Sequence, residues 1–108
     1  MKPIEWRPAA RRDVAEGARW HARKGGLALG ERFLAQGHVT LELIGRYPAS
    51  GSPRHERVMP DLPEPLRFFP VRGFETYLVY YIELPDHVEV LRIWNAARGL
   101  DALMADDR

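Results

Sequence analysis

The sequence predicts a single α+β domain: an N-terminal strand, an antiparallel helical hairpin packed on a mainly antiparallel sheet, and a short C-terminal helix. Three observations carry that prediction. Two long stretches between Pro8 and Tyr47 repeat apolar or small residues at helical spacing and are separated by Gly25-Gly26. The segment from Leu66 to Trp94 is rich in Val, Ile, Leu, Phe and Tyr and is punctuated by Arg72-Gly73 and Pro85-Asp86, as strands joined by tight turns would be. A chain of 108 residues is long enough for one modest core and too short for two, so residues 1–108 are expected to form one domain.

Ile4 to Arg7, bounded by Pro3 and Pro8, reads as an edge strand that enters a helix. Proline is tolerated in a first helical turn, where the N–H it lacks would have no partner anyway. The first helix is expected from about Pro8 to Arg23. Ala10, Val14, Gly17, Ala18 and His21 fall on one face, and small residues there let another helix approach closely. The second helix is expected from about Leu27 to Tyr47. Its stripe is Leu29, Phe33, Leu34, Gly37, Thr40, Leu41, Ile44 and Tyr47, with Glu31, His38, Glu42 and Arg46 on the wet side. Pro48 stops it.

Residues Pro48 to Pro65 hold five prolines and no periodicity, which predicts a long loop with room for mobility or a binding role. Strands are expected at about Leu66 to Val71, Thr76 to Leu84 and Val88 to Trp94. The last two are rich in Val, Ile, Leu and Tyr on both faces, as in a sheet covered on both sides. Gly99 to Ala105 suits a short helix.

Composition narrows the function classes. A formal net charge of +1 is too small for general gripping of bare nucleic acid through phosphates. The chain has no cysteine, which removes disulfides, thiol catalysis and zinc-thiolate sites together. No apolar run approaches the roughly 20 residues of a membrane span, and the first residues lack a signal-peptide core. A cytoplasmic location is expected. His21, His38, His55 and His87 are scattered, without the i, i+4 pairing that serves a metal. No phosphate-cradling glycine loop or nucleophile elbow is present, so neither cofactor nor metal is expected.

Arg67, Arg72, Arg92 and Arg98 lie in or just beyond the C-terminal strands, where they can converge on one surface. Guanidinium forks suit phosphates or carboxylates, although pairing with Glu75, Glu83, Glu89 or Asp101 is the plainer alternative. In the final strand, alternation places Arg92 on the face opposite Leu91 and Ile93. Trp20 lies off the small-residue stripe of the first helix beside Arg23 and Lys24, and suits an exposed anchor for a partner.

Several patterns together resemble the RelE/ParE toxin superfamily of bacterial type II toxin-antitoxin systems, and its ParE branch most closely. They are A-x-x-D-V at Ala10 to Val14, G-x-x-L-G-E-R-F at Gly26 to Phe33, R-Y-P-x-x-G at Arg46 to Gly51, and the stretch from Leu66 to Leu103 with YLVYY and VEVLRIWNAAR. The resemblance spans nearly the whole chain. It implies a toxin silenced by a small DNA-binding antitoxin of the ParD type, whose tail wraps the toxin in a hetero-oligomer. Trp20 and Phe33 are the expected antitoxin contacts. Arg67, Arg72, Arg92, Asn95 and Arg98 are the expected target contacts, and no sequence-specific nucleic-acid binding by the toxin alone is expected.

Within that superfamily three acts are open. ParE members block DNA gyrase by binding, RelE members cut mRNA in the ribosome, and an inactive member would serve only antitoxin binding and autoregulation. RNA cleavage needs a base for the 2′-hydroxyl and an acid for the leaving oxygen. Relatives often carry His where this chain has Asn95, and an amide exchanges no proton near neutral pH. Gly99 likewise stands where relatives often have Asp. The sequence therefore favours a gyrase inhibitor that is not a nuclease. A nuclease would have to use Arg67, Arg72 and Arg92 with some other base.

Overall fold

The computed structural model describes residues 1–106. β1 (Ile4–Trp6) leads into α1 (Pro8–Gly25), and α2 (Leu27–Arg46) runs back against it. β2 (Arg67–Val71), β3 (Phe74–Glu83) and β4 (Val88–Asn95) follow, and α3 (Leu100–Asp106) ends the described chain. The sheet order is β1-β4-β3-β2, with β1 parallel to β4 and the other pairs antiparallel. This is the α+β architecture the sequence predicts.

Small residues set the spacing of the hairpin. A Cβ on Gly30 would lie 2.7 Å from the Ala18 carbonyl oxygen, so α1 and α2 approach backbone to backbone there. A Cβ on Gly17 would meet the Phe33 ring at 2.8 Å. No helix of the described residues is long and apolar enough to cross a membrane.

Both faces of the sheet are covered, which is why β3 is apolar from Tyr77 to Ile82 without a break. Tyr77, Val79 and Tyr81 face the hairpin and pack with Ala10, Phe33, Leu41 and Ile44. Leu78, Tyr80 and Ile82 face the other way, under Met59, Leu66 and Leu103. Burying a large apolar side chain of this kind contributes about 1.5–3 kcal/mol.

Two expectations are corrected here. The Pro48–Pro65 segment is not a plain loop. It forms one-turn 3₁₀ helices at Pro48–Ser50 and Glu56–Val58, and Ser52 bridges to Phe68. Met59 and Leu66 then close the second core, so the segment is a cover for the sheet. Its lack of periodicity reflects short, irregular backbone that still buries side chains. Tyr47, placed on the apolar stripe, is 62% exposed because α2 ends at Arg46 and the chain turns there.

The alternation expected in β4 is also broken. Tyr80 pairs with Arg92 but Tyr81 with Val90, so Leu91 is an extra residue, a bulge. Leu91 and Trp94 join the second core while Val90 and Ile93 face the hairpin. Leu91 and Ile93 therefore lie on opposite faces.

Candidate functional site

The four arginines do not converge on one surface, although Arg92 and Arg98 both lie against the Trp94 ring, at 4.9 and 4.1 Å from its centre. Arg92 is 3% exposed at its side chain and forms a two-pronged ion pair with Asp13 of α1, itself 7% exposed. Its Nε donates to Oδ2 at 2.7 Å and its Nη2 to Oδ1 at 2.8 Å. The same Oδ2 accepts the Ile93 backbone N–H at 3.0 Å. β1 pairs only as far as the Arg7 N–H to Val90 carbonyl bond, so Asp13 serves the edge of β4 just past the end of β1. Arg92, expected among the target contacts, is instead an internal tie between helix and sheet.

Arg67 is also engaged locally. Its Nη1 donates to the carbonyls of Ala49 and Gly51, at 3.2 and 2.9 Å. Beside it the Tyr81 hydroxyl accepts from Gly51 N–H at 2.8 Å and donates to the Pro48 carbonyl at 2.7 Å. The R-Y-P-x-x-G pattern thus marks where the chain leaving α2 is pinned to β3. Arg72 is exposed at the β2–β3 turn, and its backbone N–H donates to Thr40 Oγ1 at 3.3 Å. Phe33, an expected antitoxin contact, is 2% exposed and belongs to the core. Its ring packs on Tyr77 and Phe74, with centroids 4.8 and 5.2 Å away. Helical spacing alone cannot tell a buried aromatic from a surface anchor.

Trp20, Asn95 and Arg98 do come together. They line a cleft of about 300 Å³ between α1 and the end of β4, with Asp13, Glu16 and Tyr77. Trp20 is 48% exposed, with the Lys24 Nζ 6.0 Å from its ring centre. Asn95 Oδ1 accepts the Ala97 N–H at 3.1 Å, which caps the 3₁₀ turn Ala96–Arg98. Arg98 lays its guanidinium over the Trp94 ring at 4.1 Å, and Trp94 Nε1 donates to the Gly99 carbonyl at 3.0 Å. The fold therefore fixes the backbone that carries both polar groups.

Burial raises the Tyr77 hydroxyl above the ordinary tyrosine value, partly offset by a hydrogen bond with the Asn95 side chain. Burial pushes Tyr80 up to about 12. Tyr81 is raised too, chiefly by burial. All three hydroxyls stay protonated at neutral pH. Sequence reasoning missed Asp13, Glu16 and Tyr77 as cleft residues. One signal existed: Asp13 is an acid at i+3 from Ala10 and i−4 from Gly17, on a face otherwise small and apolar. Among the described residues no cluster of His, Asp or Glu is arranged to hold a metal ion.

No curated protein matches this sequence. A solved chain titled "Chromosomal ParDE TA system from P. aeruginosa" is similar in structure, with a TM-score of 0.70 over 88% of this chain and 96% of that one. Its sequence identity is 13%, so that likeness is one of fold. The family model described as ParE toxin of type II toxin-antitoxin system, parDE, matches residues 4–100, from β1 to the first residue of α3. The chain belongs to the ParE toxin family of type II toxin-antitoxin systems.

Proposed function

We propose that this ParE-family chain is a toxin that acts by binding DNA gyrase in the cytoplasm, and that a ParD-like, DNA-binding antitoxin holds it silent in a hetero-oligomer. One observation carries the choice of binding over RNA cleavage: Arg92 spends Nε and Nη2 on Asp13 inside the protein. A nuclease would need that fork at a scissile phosphate. Arg67 is likewise held by two carbonyls. The sheet tyrosines with raised values are poor bases near neutral pH, since a general base works best when its pKa lies near the working pH. A net charge of +1 also suits a protein target better than a polyphosphate chain.

Purified protein freed of antitoxin is expected to inhibit supercoiling by gyrase and to induce the DNA-damage response in cells, while translation in an extract continues. Codon-specific mRNA cleavage on ribosomes with supercoiling untouched would overturn the proposal.

A further inference from the structure

We propose that the cleft between α1 and the end of β4 is a receptor for a carboxylate side chain of a protein partner, taken by Arg98 with the Tyr77 hydroxyl, and that Glu16 on the opposite wall receives a basic residue of the same partner segment. This rests on the reading that the chain acts by binding a protein. Four features support it.

The first is preorganisation. Arg98 is solvent-exposed, yet its guanidinium lies on the Trp94 ring at 4.1 Å, and the turn beneath it is tied by Trp94 Nε1 to the Gly99 carbonyl and by Gly99 N–H to the Ala96 carbonyl. A planar fork held on an aromatic face loses little freedom when it meets a carboxylate. The second is donor polarity. Asn95 commits its Oδ1 to the Ala97 N–H, which leaves its amide N–H groups as donors. The Tyr77 hydroxyl, kept protonated at neutral pH by burial, lines the same cleft and adds a donor there.

The third is charge. The Asp13–Arg92 pair cancels itself at the base of the cleft, which leaves Glu16 on one wall and Arg98 on the other. A site of zero net charge with both signs displayed disfavours a nucleic-acid backbone and fits a segment of alternating charge. The fourth is size. About 300 Å³ accommodates a side chain or two and no folded element. Trp20, half-exposed at the rim, supplies the apolar contact that shields such an ion pair from water.

The test is a charge exchange. Glu16→Arg with Arg98→Glu inverts the cleft at constant net charge, and Glu31→Arg with Arg46→Glu is a matched exchange at exposed positions on α2. Arg98→Gln, which keeps a neutral side chain over Trp94, guards against a folding defect in the exchange variant. Supercoiling inhibition by purified protein and growth arrest on induced expression are read side by side, with melting temperature measured for each variant. We expect Glu16→Arg/Arg98→Glu and Arg98→Gln to lose about 10- to 100-fold in potency, the effect of one lost charge-assisted contact. The α2 exchange is expected to match the parent. If the parent arrests growth without touching supercoiling, the gyrase reading fails while growth arrest still reads the cleft. A folded Arg98→Gln or cleft-exchange variant as potent as the parent overturns the receptor. A parent that does neither overturns both.

Discussion

Replacing Asp13 with alanine removes the partner of a buried arginine and the acceptor of a buried backbone N–H in one step. Breaking a buried ion pair from one side costs about 3–5 kcal/mol, because the remaining charge stays in a poor solvent. Orphaning the Ile93 N–H adds about 1–3 kcal/mol. The two overlap, since water entering the vacated space relieves both, so a total loss of about 4–6 kcal/mol is expected. A domain of this size has about 5–15 kcal/mol in all. The substitution therefore removes about a quarter or more of the stability and lowers the melting temperature by roughly 15–30 °C.

Chemical denaturation monitored by tryptophan fluorescence reads this directly, and two companions sharpen it. Asp13→Asn keeps an acceptor for Ile93 N–H but leaves Arg92 facing a neutral amide, and is expected to lose about 2–4 kcal/mol. Asp13→Leu with Arg92→Met replaces the pair by apolar groups and is expected to be more stable than Asp13→Ala, since the desolvated charge is gone. An Asp13→Ala protein within about 1 kcal/mol of the parent would refute the reasoning, for it would mean the pair contributes no more than an exposed one.

Three further outcomes are expected. Gly30→Ala pushes a methyl into the Ala18 carbonyl, so the helices must part; a net loss of about 1–3 kcal/mol in denaturation would appear despite alanine's better helix propensity. Trp20→Ala, at a half-exposed position, should leave the fold within about 1 kcal/mol and weaken antitoxin affinity by about 1–3 kcal/mol by calorimetry; unchanged affinity would remove it from that interface. His87 is raised above its ordinary value, first by its hydrogen bond with Asp86 and then by Glu5 and Glu89, so its contribution is whole below the unfolded value of about 6.5 and fades as pH rises through the folded one. His21, lowered by burial, acts with the opposite sign, so the readout is the melting-temperature difference between parent and His87→Gln across pH 5 to 9, expected to shrink as pH rises; a flat difference would discard the link.

The sequence made the elements legible but not their ties. Helical periodicity found α1 and α2, and the unbroken apolar run in β3 signalled a sheet with two covered faces. Arg92 was misplaced for a physical reason. The Leu91 bulge shifts the phase of β4 by one residue, and nothing in V-E-V-L-R-I-W marks an extra residue, because Leu91 and Ile93 are equally at home on either covered face. Its partner lies 79 residues earlier, on another element, where spacing rules have no reach. Of the expected contacts, Trp20, Asn95 and Arg98 share a cleft because each is local to an element end that the sequence located well. Phe33 failed because a stripe names a face without saying what covers it.

The buried pair and the cleft are one construction. Asp13 and Glu16 are three residues apart on α1, and Gly17 follows at i+4 from Asp13, so the tie and one wall of the cleft share a helix face. Arg92 and Asn95 stand three apart on β4, so the other wall is anchored by the same pair from the other side. The separation between Glu16 and Arg98 is then set by a contact of 2.7 Å in the interior, which cannot lengthen without exposing a charge to an apolar core. An open, exposed surface gains the rigidity of a core contact in this way. It follows that Asp13→Asn should reduce target potency more than an equal loss of stability placed elsewhere, such as Gly30→Ala. Potency that tracks stability alone in both variants would separate the pair from the cleft and leave Asp13 as scaffold only.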